Sequence, residues 1–200
     1  SVGVETVAVH GASQFTPYYP LVFTPPSAGR YLARADFSEL AVEFIVEERA
    51  NVSLFQVGEP LPPFDTPTFD DPRGVDPVCT RGEPCPFHEL TLTQALGSGR
   101  PTALLISTPE FCQTDVCGPS VEFLIAAAAT RADMNFIPAE VFADPRNPEP
   151  QPFPALAPLL DAWQLEFEPS LFVADASGTI VATRHFAFDQ DEVNEAVATP

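Results

Sequence analysis

The stretch Pro101-Thr-Ala-Leu-Leu-Ile-Ser-Thr-Pro-Glu-Phe-Cys-Gln-Thr-Asp-Val-Cys-Gly-Pro-Ser120 decides how the rest of the chain is read. Its first part, Pro101 to Ser107, is a continuous apolar run, the pattern of a strand buried on both faces of a parallel sheet. A loop with two Cys follows. From Pro119 to Arg131 the chain is Ala-rich, with Pro placed where the first turn of a helix tolerates it. A loop that joins a strand to a helix in this way lies at the carboxyl end of the strand, where open α/β sheets keep their sites. Amides at a helix N-terminus favour an anion and so lower the pKa of a nearby thiol. Cys117, directly before Gly118-Pro119, is placed to use them.

Working outward, the pattern remains α/β over residues 91–200. Leu90 to Leu96 reads as a short helix closed by Gly97-Ser-Gly99. Met134 to Phe142 is the next strand, Asp144 to Phe153 a Pro-rich insertion, and Ala155 to Trp163 a helix. Ser170 to Asp175 and Thr179 to Thr183 form a hairpin around Ala176-Ser-Gly178. Asp189 to Ala198 is a final acidic helix. This order predicts an α/β fold with a mixed sheet and helices on both faces.

The first half reads differently. Residues 1–57 are β-rich, with short runs at Val2-Val4, Thr6-Val9, Pro20-Thr24, Tyr31-Phe37, Ala41-Val46 and Asn51-Phe55. The segment Phe23-Thr-Pro-Pro-Ser-Ala-Gly-Arg-Tyr31 is similar to the turn before a late strand of an immunoglobulin-like sandwich, so a small, partial sandwich is expected, suited to holding a partner protein. Residues 58–90 are punctuated by Pro and acids and read as a linker or extended loop. Cys79 and Cys85 within it enclose a short turn that a local disulfide would staple, and His88 reads as a surface or capping residue rather than a ligand.

Composition narrows the function. The net charge is -19, there is no Lys, and all nine cations are Arg. Such a surface repels phosphate backbones and anionic lipid headgroups, which argues against nucleic acid and membrane surfaces as partners. No run approaches the roughly 20 apolar residues of a membrane span. A hydrophobic share of 45%, with 17 Phe, is enough for a real core. The four Cys fall in two local pairs, which points to an oxidising, extracytoplasmic compartment: periplasmic, cell-surface or secreted. Their spacings are not the short knuckles that zinc prefers, so one zinc held by all four Cys is not expected. The sequence opens at Ser1 without a basic leader, which fits a mature product and a trimmed chain equally.

Three motifs resemble the thioredoxin superfamily, over residues 58–198. Cys117-Gly-Pro-Ser120 is similar to the family's Cys-Gly-Pro-Cys with Ser in place of the second Cys. Glu168-Pro-Ser-Leu-Phe-Val-Ala-Asp-Ala-Ser-Gly178 resembles the family's cis-Pro turn, next strand and hairpin. Gly58-Glu-Pro-Leu-Pro-Pro-Phe64 resembles the lead-in of redoxin-type members. The resemblance implies a thioredoxin-like fold, Cys117 as attacking thiolate, and Pro169 as a cis-Pro facing it. It implies a protein or small-molecule thiol or disulfide as substrate, and no cofactor. Ser120 cannot resolve a mixed disulfide, so that role falls to Cys112. Thiol chemistry leaves the pair open as a redox couple, a permanent bridge or metal ligands.

Two branches sharpen the alternatives. Peroxiredoxins, which are peroxidases, carry Pro and Thr before their Cys. Here Thr114 stands at the expected offset from Cys117, Pro109 lies one residue too far away, and Arg184 is the candidate for their Arg. Sco-type copper(I) proteins carry two Cys and a distant His. Cys112 and Cys117 are similar with one added residue, but Ala176 stands near the expected His, and His185 lies beyond the hairpin. The readings carried forward are a thiol–disulfide oxidoreductase, a non-catalytic binding module with structural disulfides, and a copper(I) handler.

Overall fold

A computed structural model describes residues 9–11, 17–21, 23–112, 115–146, 154–165 and 167–200. The elements after the hairpin β1 (Gly29–Arg34) and β2 (Ala41–Val46) are α1 (Leu92–Gly97), β3 (Thr102–Ile106), α2 (Cys117–Ala128), β4 (Asn135–Ala139), α3 (Pro158–Trp163), β5 (Ser170–Ala174), β6 (Ile180–His185) and α4 (Gln190–Ala198). Strand β3, wholly buried, lies inside a four-stranded sheet of order β4-β3-β5-β6. It runs parallel to β4 and antiparallel to β5, and β5 is antiparallel to β6. Pro138 sits within β4, which the sheet tolerates because β4 is an edge strand whose outer N–H positions need no ladder partner.

Successive side chains of a strand point to opposite faces, and the two cores separate accordingly. Leu104, Ile106, Ile137, Phe172 and Ala174 pack on one face with α1 and α3, through Leu92, Ala95, Leu159 and Leu160. Ala103, Leu105, Phe136, Leu171 and Val173 pack on the other with α2 and α4, through Val121, Phe123, Leu124, Val193 and Val197. The mixed sheet with helices on both faces is therefore as the sequence predicts. Helix α1 starts with a capping box between Thr91 and Gln94, and α4 with one between Asp189 and Glu192. Asp189 also accepts from Gly11 N at 3.3 Å and pairs with His10 at 2.9 Å, while Tyr18 donates to Glu192, so the described N-terminal residues dock on the start of α4.

Residues 58–90 contain no helix or strand, yet they are part of the core. Leu61 and Val75 join the α1/α3 side, and Cys79 and Cys85 the α2/α4 side. Gly58 N and Leu61 N donate to the carbonyls of Ile180 and Gly178, and Ile180 N donates to Glu59, so the segment pairs with the start of β6.

Of the expected β-rich N-terminal region, the described residues show the isolated antiparallel bridge His10–Tyr18 and one ladder. The ladder is the β1–β2 hairpin, with Tyr31 stacked on Phe44 at 5.6 Å and Phe23 against both rings. The described part of Pro20–Thr24 forms no ladder, and neither does Asn51–Phe55. There the chain turns inward, and Phe55 packs on Trp163 at 5.0 Å and on Phe172 at 6.4 Å, an apolar gain that an exposed strand would forgo. The expected strand Val2-Val4, and all of Thr6-Val9 but Val9, lie outside the described residues.

Candidate redox site

Cys117 is the first residue of α2, two positions earlier than Pro119 predicts. It joins Cys112 in a disulfide across the β3–α2 loop, with a Cα–Cα distance of 6.0 Å. The two sulfurs are not equivalent. Cys117 is fully buried, and Cys112 is half-buried. Ser120, which stands where the resemblance has a second Cys, faces inward. Its hydroxyl lies 2.7 Å from the Cys117 carbonyl and 3.1 Å from Ser107 Oγ, and Ser107 also donates to that carbonyl at 3.1 Å. Ser120 thus fastens the first turn of α2 to the end of β3.

The antiparallel pairing of Ile106 with Ser170 brings the residues before β5 to the same end of the sheet. The Glu168–Pro169 bond there is cis, and Pro169 is buried. Glu168 Oε2 accepts from Thr108 N at 3.1 Å and lies 3.7 Å from Cys117 Sγ. Burial raises the Glu168 carboxyl to about 7, only partly offset by the Thr108 amide. The site therefore brings together Cys112, Cys117 and the Glu168–Pro169 turn. Thr114 lies outside the described residues.

Sheet order, strand directions, a Cys at the start of the helix after β3, and a cis-Pro before β5 together decide the fold. The fold is thioredoxin-like. No protein-family model matches the chain. No curated protein matches it either. Solved structures similar to it include a thiol:disulfide interchange protein of the thioredoxin family from Chlorobium tepidum TLS, at 15% identity and a TM-score of 0.46, covering 72% of this chain and 97% of that one. MTB DsbF is similar at 17% identity and a TM-score of 0.40, covering 55% and 85%. StoA from Bacillus subtilis is similar at 14% identity and a TM-score of 0.34, covering 50% and 83%.

The other readings find less in the geometry. Glu168 and both sulfurs lie within 4.8 Å of one another, but joined sulfurs are not thiolate ligands, and among the described residues no His joins them. His185 instead pairs with Ser170 Oγ at 3.0 Å, and burial lowers it to about 4. The copper(I) reading thus lacks its imidazole at this pair. Arg184, the candidate peroxidase Arg, pairs with Glu195 at 3.0 Å.

Cys79 and Cys85 are not bridged as the sequence suggests. Both are buried free thiols, with the sulfurs 3.7 Å apart. The hydrogen bond between the two sulfurs holds the Cys79 thiol well below its usual range, and the same bond together with burial pushes Cys85 up. His88 is buried as well, against the reading of a surface residue. Glu140, at the end of β4, accepts from Thr80 N at 2.5 Å and Thr80 Oγ1 at 3.2 Å, and burial raises it to about 7. The sequence marks neither Glu168 nor Glu140 as special. Only the position of Glu168, directly before Pro169, could have flagged it.

Proposed function

We propose that the chain is a thioredoxin-like thiol–disulfide exchange protein of an extracytoplasmic compartment, and that Cys112 is the sulfur that meets its partner. One observation carries the reading: a disulfide in the β3–α2 loop between half-buried Cys112 and fully buried Cys117, beside a carboxyl raised to about 7. A partner thiolate attacks Cys112 Sγ. The Cys112–Cys117 bond breaks, a partner–Cys112 disulfide forms, and the Cys117 thiolate leaves with the bond's electron pair. Protonated Glu168 gives that thiolate its proton. A second partner thiolate then attacks the partner sulfur of the mixed disulfide and releases Cys112. The partner leaves oxidised and the protein dithiol reduced, and the reverse sequence reduces a disulfide. Burial thus exchanges the roles that the resemblance implies: Cys112 makes first contact and Cys117 resolves. Pro169, in the cis turn after Glu168, is assigned the place facing the pair that the resemblance implies, and the partner is a protein or small-molecule thiol or disulfide.

The test uses native protein with a mild dithiol. The bridge is expected to reduce at a potential above about -300 mV, the level typical of structural disulfides. Alkylation of the reduced protein is expected to reach Cys112 well before Cys117. Cys117→Ser is expected to trap a stable mixed disulfide at Cys112, and Cys112→Ser to trap none. A bridge that survives strong reductant in the native state overturns the proposal. That outcome favours the second reading, a non-catalytic module with a structural bridge, which the full burial of Cys117 supports.

A further inference from the structure

The exchange site leaves Cys79, Cys85 and His88 without a role. All three are buried, with 9%, 1% and 3% of their surfaces exposed. Their donor atoms lie within 4.8 Å of one another. The Cys79 and Cys85 sulfurs are 3.7 Å apart, and Cys85 Sγ is 3.1 Å from His88 Nε2. We propose that Cys79, Cys85 and His88 form a zinc(II) site, separate from the Cys112–Cys117 pair.

The geometry carries this. Two sulfurs at about 2.3 Å from one tetrahedral ion stand about 3.8 Å apart, and a sulfur and an imidazole nitrogen stand about 3.5 Å apart. The observed sulfur separation is within about 0.1 Å of that figure, and the imidazole has to retreat by about 0.4 Å to admit the ion. A pair of hydrogen-bonded thiols could sit at the same sulfur distance, so the third donor decides. The buried His88 ring lies with Nε2 3.1 Å from Cys85 Sγ, also contacts the Cys79 thiol, and has no partner at Nδ1 among the described residues. Thiol contacts are weak compensation for burying an imidazole, and a bond from Nε2 to a metal ion is a stronger one.

The segment is held in place independently of the cluster. Arg81 pairs with Glu122 of α2 at 2.6 Å, and Thr80 N donates to Glu140. Phe87 packs on Phe136 at 5.7 Å, and the His88 ring lies against Phe69 at 4.9 Å. Loop closure is thus partly prepaid, and the donors are preorganised for an ion.

Charge selects the ion. Two thiolates, a neutral imidazole and Zn(II) sum to zero, which a buried site favours. Copper(I) would leave one negative charge there, close to buried Glu140. Among the described residues no fourth Cys, His, Asp or Glu joins the cluster. A tetrahedral ion on these three donors keeps one position open.

The full chain, stripped by a chelator under conditions that keep Cys79 and Cys85 reduced, is titrated with Zn(II) against a chromophoric competitor, and separately with Co(II) as a spectroscopic probe. The expected result is one equivalent of Zn(II), and a thiolate-to-cobalt charge-transfer band with tetrahedral visible bands. Cys79→Ser, Cys85→Ser and His88→Gln are expected to lose the equivalent, while the double variant Cys112→Ser, Cys117→Ser keeps it. Wild-type protein that gives no thiolate–cobalt band overturns the proposal even if every variant misfolds. So does a site that takes copper(I) and refuses zinc(II), or a native Cys79–Cys85 disulfide that forms in preference to metal binding. Because the double variant lacks the exchange pair, the zinc site and the exchange reaction fail or stand separately.

Discussion

Glu140→Gln is expected to stabilise the protein above neutral pH and to leave it unchanged in acid. The Glu140 carboxyl is 5% exposed, and burial raises it from 4.5 to about 7. A carboxyl whose folded pKa lies above its unfolded value holds its proton more tightly in the native state. Its ionisation therefore opposes folding: there is no cost below 4.5, a growing cost as pH rises from 4.5 to about 7, and a constant cost above. That interval corresponds to about 3 kcal/mol. Gln has nearly the same shape, can accept the Thr80 amide hydrogen bond, and carries no charge to desolvate. Its advantage should reach about 3 kcal/mol at pH 8 and vanish near pH 4. Three other groups act in this range. Glu168, also raised to about 7, adds a cost of the same sign, His185, lowered to about 4, loses stability as pH falls from 6.5 toward 4, and the Cys79 thiol, held below its usual range, adds stability as pH rises. Subtracting variant from wild type removes their direct contributions. Trp163, the only Trp, packs on Phe55 and Phe172 and reports unfolding by its fluorescence in urea. Parallel stability curves for the two proteins between pH 4 and 8 would refute the reasoning.

Glu168→Gln removes the proton that the departing Cys117 thiolate receives. Reduction of the bridge by a dithiol, corrected for the ionisation of the attacking thiol, should slow by about 10²-fold at pH 6 and converge with wild type well above pH 7. A uniform slowing at every pH would instead mark Glu168 as a merely structural group. Phe172→Ala empties a fully buried position between Phe55, Trp163 and His185 and should cost about 3–5 kcal/mol in urea unfolding.

The sheet was legible because each of its strands announces itself locally. The unbroken apolar run of β3 is what a strand buried on both faces requires, and Asp189 with Glu192 spells a capping box before α4. The start of α2 was ambiguous for a physical reason. The first amides of a helix have no carbonyl to bond, so Pro119 fits at the first helical position or, as found, at the third. The packing of residues 58–90 was hidden for a different reason. Leu61, Val75, Cys79 and Cys85 follow no period, since each is buried by residues far away in sequence. The Pro and acidic residues between them signal loop, correctly, but backbone irregularity says nothing about burial.

The candidate site follows the same division. Cys112 and Cys117 could be named from sequence, but the order of action proposed for them could not, because it rests on their unequal burial. Against the Cys-Gly-Pro-Cys motif that it resembles, Ser120 reads as a missing thiol. In the structure its hydroxyl ties Ser107 at the end of β3 to the carbonyl of Cys117. A buried hydroxyl in such a network is costly to leave unsatisfied, so the position serves anchoring and not exchange. In the proposed exchange a partner sulfur then arrives from the loop side, at Cys112. Cys112 is half-buried where Cys117 is fully buried, so the more accessible residue of the pair precedes the buried one in the chain.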